Sequence, residues 1–409
     1  MTTLRIALRN YADFENALGE QARLFEAQTP GVSVELVSVG IHELYHSALN
    51  QGGLRDGAYD LALLVTDWLA EGFEAEVLED LQPWHDRAPL PDWPQGWARS
   101  LTDPLQFGSK LSSIPWHDGP ECLVYRSDLF SDASLRAEFA ARHGRELAPP
   151  TSWQEFAVTA RFLTRPEDHL FGTVFAAFPD GHNTLYDFAL QVWSRGAEFV
   201  GPDGKPCLVA PAIVDALDFY RSVVRDPATC HPQSPSLDST QSGDLFLSGR
   251  VAMMVNWFGF AARSSRAGSP LNGRVAIAPI PSAPGCEHIS LSVFWALAMG
   301  AGSRQKNLAW EFLRFVASPE RDFGITRHGP VGTRLSTWRN PALQTEIPPY
   351  KDIERISLGA RQLPRGPMMA AFASIIDGVI IRSLNTADSS LAILQDAQQQ
   401  IDNKGLVLA

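Results

Sequence analysis

The chain has 409 residues, of which 45% are hydrophobic and 20% charged, enough for two lobes that each bury a core and too much for one small domain. With 34 Lys and Arg against 46 Asp and Glu the net charge is -12, and no basic stretch interleaved with aromatics marks a nucleic-acid groove. The longest apolar runs, Leu61–Val65 and 375–381, fall short of the roughly 20 residues a spanning helix needs, which argues against direct membrane insertion.

Leu4, Ile6 and Leu8 alternate, Phe14, Leu18 and Phe25 recur at helical spacing, and Val32, Val34 and Leu36 alternate again. Strand, helix and strand in this order predict a βαβ unit with a parallel sheet. The next run, from Asp60 to Val65, is continuously apolar after its first residue, as in a strand buried on both faces. In such sheets ligands bind beyond the carboxyl ends of the strands. That rule points to Asn10, Tyr11 and Asp13 after the first strand and to Asp67 and Trp68 after the third. Taken singly, Asp13 reads equally well as a helix cap and Trp68 as packing.

Further on, Ile114 to Gly119 is a turn-rich joint carrying Trp116, His117 and Asp118, and it leads into a strand from Glu121 to Tyr125. Thr151 or Ser152 is placed to cap the helix that follows. Helical patterns run over 185–194, 213–224 and 244–247, then a strand over 251–255, with polar turns at 202–204 and 232–242. A strand over 274–278 is stopped by Pro279-Ile280-Pro281. A strand over 290–299 leads into a helix over 307–317, and two more helices are predicted over 368–382 and 390–401.

The opening Met1-Thr2-Thr3-Leu4-Arg5 runs straight into a strand pattern with no apolar leader region, so either a leader was trimmed or the protein stays inside the cell. Cys122, Cys207, Cys230 and Cys286 show no CxxC spacing, and Cys122 reads as an inert buried thiol in an apolar strand.

Six segments in order resemble the maltose-binding-protein-like solute-binding proteins of ABC transporters. They are Phe25 to Val32 with its Pro30-Gly31-Val32; Asp60 to Trp68 followed by Leu78-Glu79-Asp80-Leu81; and Ile114-Pro115 before Val124-Tyr125-Arg126-Ser127-Asp128-Leu129-Phe130. Thr151 to Glu155, Phe246 to Met254 and Ala309 to Phe315 complete the set. The resemblance covers nearly the whole chain and implies an α/β, two-lobed periplasmic-binding-protein fold of type II, each lobe a mixed sheet flanked by helices. Hinge crossings near Asp118, Ala276 and His328 would divide it into a lobe of residues 1–118 plus 277–327 and a lobe of 119–276 plus 328–409.

It further implies a non-catalytic, cofactor-free, monomeric component of an importer, periplasmic or extracellular, that closes an interlobe cleft on a carbohydrate and delivers it to membrane permeases. A saccharide site needs rings for C–H faces and polar side chains for hydroxyls, and Asp67-Trp68, Trp116-His117-Asp118 and Asn256-Trp257 supply both. Carried over position by position, the ligand-binding set is Asn10, Tyr11, Asp13, Asp67, Trp68, Trp116, His117, Asp118, Gly119, Asp180, His182, Asn183, Trp257, Phe258, Phe294, Trp295 and Arg365. Phe294 and Trp295 stand where the family has glycines, which favours a small or partly apolar glycoside. Trp84, Trp93, Trp97 and Trp310 are assigned to core packing.

Two enzymatic readings compete. His42-Glu43-Leu44-Tyr45-His46 satisfies the H-E-x-x-H pattern of zinc peptidases, although no later motif marks a third metal ligand. Asp118 and Glu121 could serve as the acid and base of a glycoside hydrolase. No G-x-S-x-G or G-x-G-x-x-G stretch supports acyl transfer or dinucleotide chemistry.

Overall fold

The computed structural model describes every residue except Pro202, Arg365, Pro367 and Ala409. The chain divides into a first unit of Met1–Gly119 with Ser292–Thr345 and a second of Pro120–Leu291 with Glu346–Ala409. Residues 277–291 thus group with the second unit and 328–345 with the first, and the chain passes between units after Gly119, Leu291 and Thr345 rather than near Ala276 or His328.

The first unit is built on a five-stranded sheet in the order Val32–Val39, Thr2–Arg9, Leu61–Val65, Trp295–Met299, Ser113–His117. The first strand pairs in parallel with both its neighbours, while Trp295–Met299 runs antiparallel to Leu61–Val65 and to Ser113–His117. Leu61 to Leu64 are fully buried, as their unbroken apolar run requires at the centre of a sheet covered on both faces. The helix Ala12–Gln28 returns to the second strand through Thr29-Pro30-Gly31, where Gly31 takes a φ of +85° that a side chain would resist.

The predicted strand over 290–299 is two strands in different units. Ser290–Leu291 pairs with Ala360–Arg361 in the second unit, and Trp295–Met299 enters the first unit's sheet. Periodicity could not see the break, because the alternation of Ser290, Leu291 and Ser292 runs on into the apolar stretch Val293 to Met299. Residues 328–345 are held on the first unit by Asp322, whose carboxylate accepts from Thr333 N (2.7 Å), Arg334 N (3.1 Å) and Thr337 Oγ1 (2.5 Å).

The second unit has a four-stranded sheet in the order Val275–Ala278, Glu121–Arg126, Val251–Trp257, Phe171–Val174. Only the last pair is parallel. Because Val275–Ala278 pairs with Glu121–Arg126, the chain remains in this unit through Leu291. Gly172 lets the edge strand lie against the helix Trp153–Leu163: a Cβ there would sit 1.8 Å from the Ala160 carbonyl oxygen. Ser152 caps that helix through Oγ, as expected, and Glu155 answers by accepting from Thr151 N at 2.9 Å.

The helix expected at 244–247 begins earlier, at Ser239, inside the stretch expected to be a turn. Asp238 and Gln241 form a capping box there, a polar start signal that composition alone counts as loop. All four cysteines are free thiols, Cys122 fully buried. No helix among the described residues is long and apolar enough to cross a membrane.

Candidate functional site

In the first unit the carboxyl ends of Thr2–Arg9, Leu61–Val65 and Ser113–His117 and the start of Trp295–Met299 lie at one edge of the sheet. Trp295 pairs with Val65 on one side and His117 on the other, and the register shifts just after it. Phe14, in the first turn of the helix after the first strand, is the hub of this edge. Its ring meets Tyr11 (5.2 Å), Trp116 (5.3 Å), His117 (5.0 Å) and Trp295 (5.3 Å), each edge to face. Trp68 joins through Trp295 at 6.3 Å and through Tyr45 at 5.2 Å.

Around these rings Asn10 is exposed, Tyr11, Asp13, Asp67 and His117 are half-buried, and Gly119 is buried. Asp13 does not cap its helix, since the cap position is Tyr11 and no side chain bonds there. Instead Tyr11 Oη donates to Asp13 Oδ2 at 3.4 Å. Tyr45 Oη donates to both carboxylate oxygens of Glu71 (2.9 and 2.7 Å), and burial with that anion pushes its phenol up to about 12.

His117 Nδ1 accepts from Val331 N at 2.8 Å, and desolvation pulls the imidazole down to about 4, so the ring is neutral with its proton on Nε2. Asp118, 1% exposed, is pushed up to about 7 by burial, against the hydrogen bonds from Gly119 N and Ser292 Oγ (3.3 Å); its Oδ2 has no partner among the described residues.

Besides Asp118 and Gly119, the expected contact residues Trp68, Asn183 and Trp295 are buried with 7–9% exposure, and three rings lie deeper still. Trp116 is 2% exposed and its Nε1 donates to Gln21 Oε1 at 2.8 Å, so it supports the edge from beneath. Phe294 and Phe258 are fully buried. The backbone of Phe294 exchanges hydrogen bonds with Thr66, and the ring of Phe258 packs on Tyr350 at 5.0 Å. Bulk next to a loop signals a contact and a core residue alike, so sequence could not separate them. Arg365 lies outside the described residues.

In the second unit the corresponding edge carries Trp257, at the carboxyl end of its strand, and the loop 175–182 after the parallel strand Phe171–Val174. Trp257 N donates to Asn256 Oδ1 (2.7 Å), whose amide donates to Ser239 O and Ser242 Oγ, both at 3.1 Å, which fixes the strand end. The half-buried indole meets Tyr186 edge to face at 5.8 Å, and Tyr186 Oη lies 3.2 Å from His182 Nδ1.

Asp180 shapes the turn into the helix Asn183–Trp193. Its Oδ1 accepts from His182 N (2.9 Å) and Asn183 N (2.8 Å), and its Oδ2 accepts from Asn183 Nδ2. Asp377 accepts from Gly181 N (2.9 Å) and Thr184 Oγ1. Phe14, Tyr45, Glu71, Tyr186, Asp187 and Asp377 complete the two edges and carried no functional signal in the sequence. Phe14 read as one of the residues recurring at helical spacing, and Tyr45 only as a spacer within the H-E-x-x-H stretch.

The H-E-x-x-H stretch forms the short helix Ile41–Tyr45 and runs into the wider turn His46–Asn50. Leu44 is buried and Tyr45 packs on Trp68, while His42, Glu43 and His46 are exposed. Among the described residues no group of three or more His, Cys, Asp or Glu is placed to hold a metal ion, so the two histidines lack the third protein ligand of a catalytic zinc. Of the carboxylates weighed as a glycosidase pair, Asp118 belongs to the first unit and Glu121 to the second.

Residues 8–321 match the family described as bacterial extracellular solute-binding protein. Similar proteins include a probable ABC transporter-binding protein of Deinococcus radiodurans, 25% identical over 301 residues, 72% of this chain and 67% of that one. A mannitol-binding protein of Pseudomonas aeruginosa is 25% identical over 357 residues, 82% of this chain and 74% of that one. The maltose-bound MalE3 of T. maritima shares the fold with a TM-score of 0.85 over 99% of this chain and 100% of that one, at 20% identity.

Proposed function

Because the chain belongs to the bacterial extracellular solute-binding protein family, we propose that it is the ligand-capturing component of an ABC importer and that its ligand is a carbohydrate: a sugar, a polyol or a glycoside. The observation that carries this reading is the shared composition of the two sheet edges. In each unit indole and phenol rings stand among Asp, Asn and His side chains at one edge of the sheet, through Tyr11, Trp68 and Trp295 with Asn10, Asp67 and His117 in the first and through Tyr186 and Trp257 with Asp180, His182 and Asn183 in the second. Ring faces take the C–H faces of a pyranose or polyol, and the polar groups take its hydroxyls.

The names of the mannitol-binding and ABC transporter-binding relatives support the same reading. The protein works as a monomer in the periplasm or outside the cell, hands its ligand unaltered to membrane permeases and uses no cofactor.

A thermal-shift screen against mannitol, ribitol, glucose and maltose, followed by mass spectrometry of the recovered ligand, tests this, since a ligand that binds only the folded state raises the midpoint. The expected result is a saccharide that stabilises the protein, is lost in Trp257→Ala and in Asp67→Ala, and returns intact. No stabilisation by any saccharide, or a cleaved product, would overturn it.

A further inference from the structure

Four carboxylates gather where the helix Asn183–Trp193 begins: Asp180, Asp377, Asp187 and Glu121. Two are occupied with holding the turn, as described above, and Asp187, 6% exposed, accepts from Tyr220 Oη at 3.3 Å. Glu121 is different. It is 4% exposed, its Oε2 has no hydrogen-bond partner, and the charge acting on it is the like charge of Asp187. None of the four forms an ion pair among the described residues.

Burial raises the carboxyls of Glu121 and Asp187 well above the ordinary range, so both favour the protonated form unless a cation stands beside them. A proton, a metal ion or an organic cation could supply what is missing. The geometry does not favour a metal, because the described residues contain no donor group able to hold one. It does favour an organic ammonium. Glu121 is the direct cross-strand partner of Trp257, so the unpartnered carboxyl begins beside the indole that stands edge-on to Tyr186. A carboxyl and an aromatic ring on neighbouring strands together make an environment that receives a protonated amine.

We infer that the carbohydrate taken up at this edge is cationic, an amino sugar or amino polyol whose ammonium is received by Glu121 and Asp187 with Trp257 alongside. The inference rests on the carbohydrate reading and narrows it. A hydroxyl of a neutral sugar can donate to the Glu121 oxygen but leaves the repulsion from Asp187 in place, whereas an ammonium satisfies the oxygen and offsets that repulsion.

Titration calorimetry at about pH 7.5 compares matched probes: glucosamine, glucose and N-acetylglucosamine, and 1-amino-1-deoxysorbitol with sorbitol. Each free amine is expected to bind at least about ten-fold tighter than its neutral counterpart. In Glu121→Gln that preference should fall by at least about ten-fold. This variant removes a buried, unpartnered ionisable group at nearly constant volume, so its thermal midpoint should not fall, and Asp187→Asn removes the second buried carboxyl. Neutral probes binding as tightly as the amines, or an amine preference that survives both substitutions, overturns the cationic ligand and leaves the carbohydrate reading standing. Binding of neither kind overturns both.

Discussion

His117 and Val331 are joined by a hydrogen bond from Val331 N to the imidazole Nδ1 at 2.8 Å, and the next residue, Asp118, donates its own N–H back to the Val331 carbonyl at 3.2 Å. The pair of bonds clamps the end of the strand Ser113–His117 to the segment that follows the turn Thr326–His328. It also places two titratable neighbours in surroundings that act on them in opposite senses: His117 is held neutral down to about 4 and Asp118 is held protonated up to about 7.

Stability against pH follows from these directions. His117 has a folded value below its unfolded value of about 6.5, so its contribution is complete above that pH and is lost as pH falls towards 4. Asp118 has a folded value above its unfolded value of about 3.9, so its contribution is complete below that pH and is lost as pH rises through 7. Between about pH 4 and 6.5 the two slopes oppose each other at one proton apiece and nearly cancel. Urea unfolding of Asp118→Asn should therefore show, relative to wild type, an added loss of up to about 3 kcal/mol on going from pH 6.5 to 4. His117→Gln should show, relative to wild type, an added loss of up to about 3 kcal/mol on going from pH 4 to 7. Difference profiles that stay flat for both variants would contradict the assignment.

Arg334 is the structural counterpart in the same unit. It is 1% exposed; its Nη1 donates to the carbonyls of Pro91 (3.1 Å) and Ala317 (2.7 Å), its Nη2 donates to Asp92 Oδ2 (2.5 Å), and its plane lies 4.2 Å from the Trp97 ring. Only a planar fork reaches three acceptors while stacking on an indole. Arg334→Lys keeps the charge and loses the fork, and a destabilisation of about 2–3 kcal/mol is expected in urea. A change under about 0.5 kcal/mol, the surface range, would mean the fork is dispensable.

The order of elements was legible because each carries its own period: alternation at Leu4, Ile6 and Leu8, a fully apolar run at Leu61 to Val65, and a helical stripe at Ala309 to Val316. Their carboxyl ends then indicate the loops where rings and polar groups gather. What could not be read is which bulky residue faces outward. Trp116 and Phe258 stand directly before or after His117 and Trp257, and only the tertiary packing decides that the first two, like Phe294 and Trp295, go inside. Boundaries between units escaped for a related reason. Ser290 and Ser292 flank Leu291 in an alternation that runs into the apolar stretch Val293 to Met299 across the crossing, and residues 328–345 are assigned by Asp322 and Arg334, through bonds that a sequence pattern does not show.

Phe14 concentrates this difficulty in one position, since it was read as helix core and proves to organise the first unit's edge. Its ring touches Tyr11, Trp116, His117 and Trp295. Phe14→Ala should cost about 3–5 kcal/mol, while Phe14→Leu keeps most of the volume and should cost less than about 1.5 kcal/mol. Because the leucine side chain cannot reproduce four edge-to-face contacts, Phe14→Leu should still weaken carbohydrate binding in calorimetry despite its stable fold. Full affinity in Phe14→Leu would show that the hub serves packing alone.

The H-E-x-x-H stretch supplies a last discrimination. Of its residues, Tyr45 is the one tied to the ring cluster, through its ring against Trp68 and its hydroxyl on both oxygens of Glu71, whereas His42 is exposed. A hydrogen bond to a charged group contributes about 1.5–3 kcal/mol, so Tyr45→Phe should destabilise the first unit by about that amount and shift the tryptophan emission as Trp68 loses its fixed neighbour. His42→Ala should stay within about 0.5 kcal/mol of wild type and leave the emission unchanged. The reverse pattern, a silent Tyr45→Phe and a His42→Ala that loses a zinc-dependent rise in thermal midpoint, would return the stretch to metal chemistry and remove Tyr45 from the site.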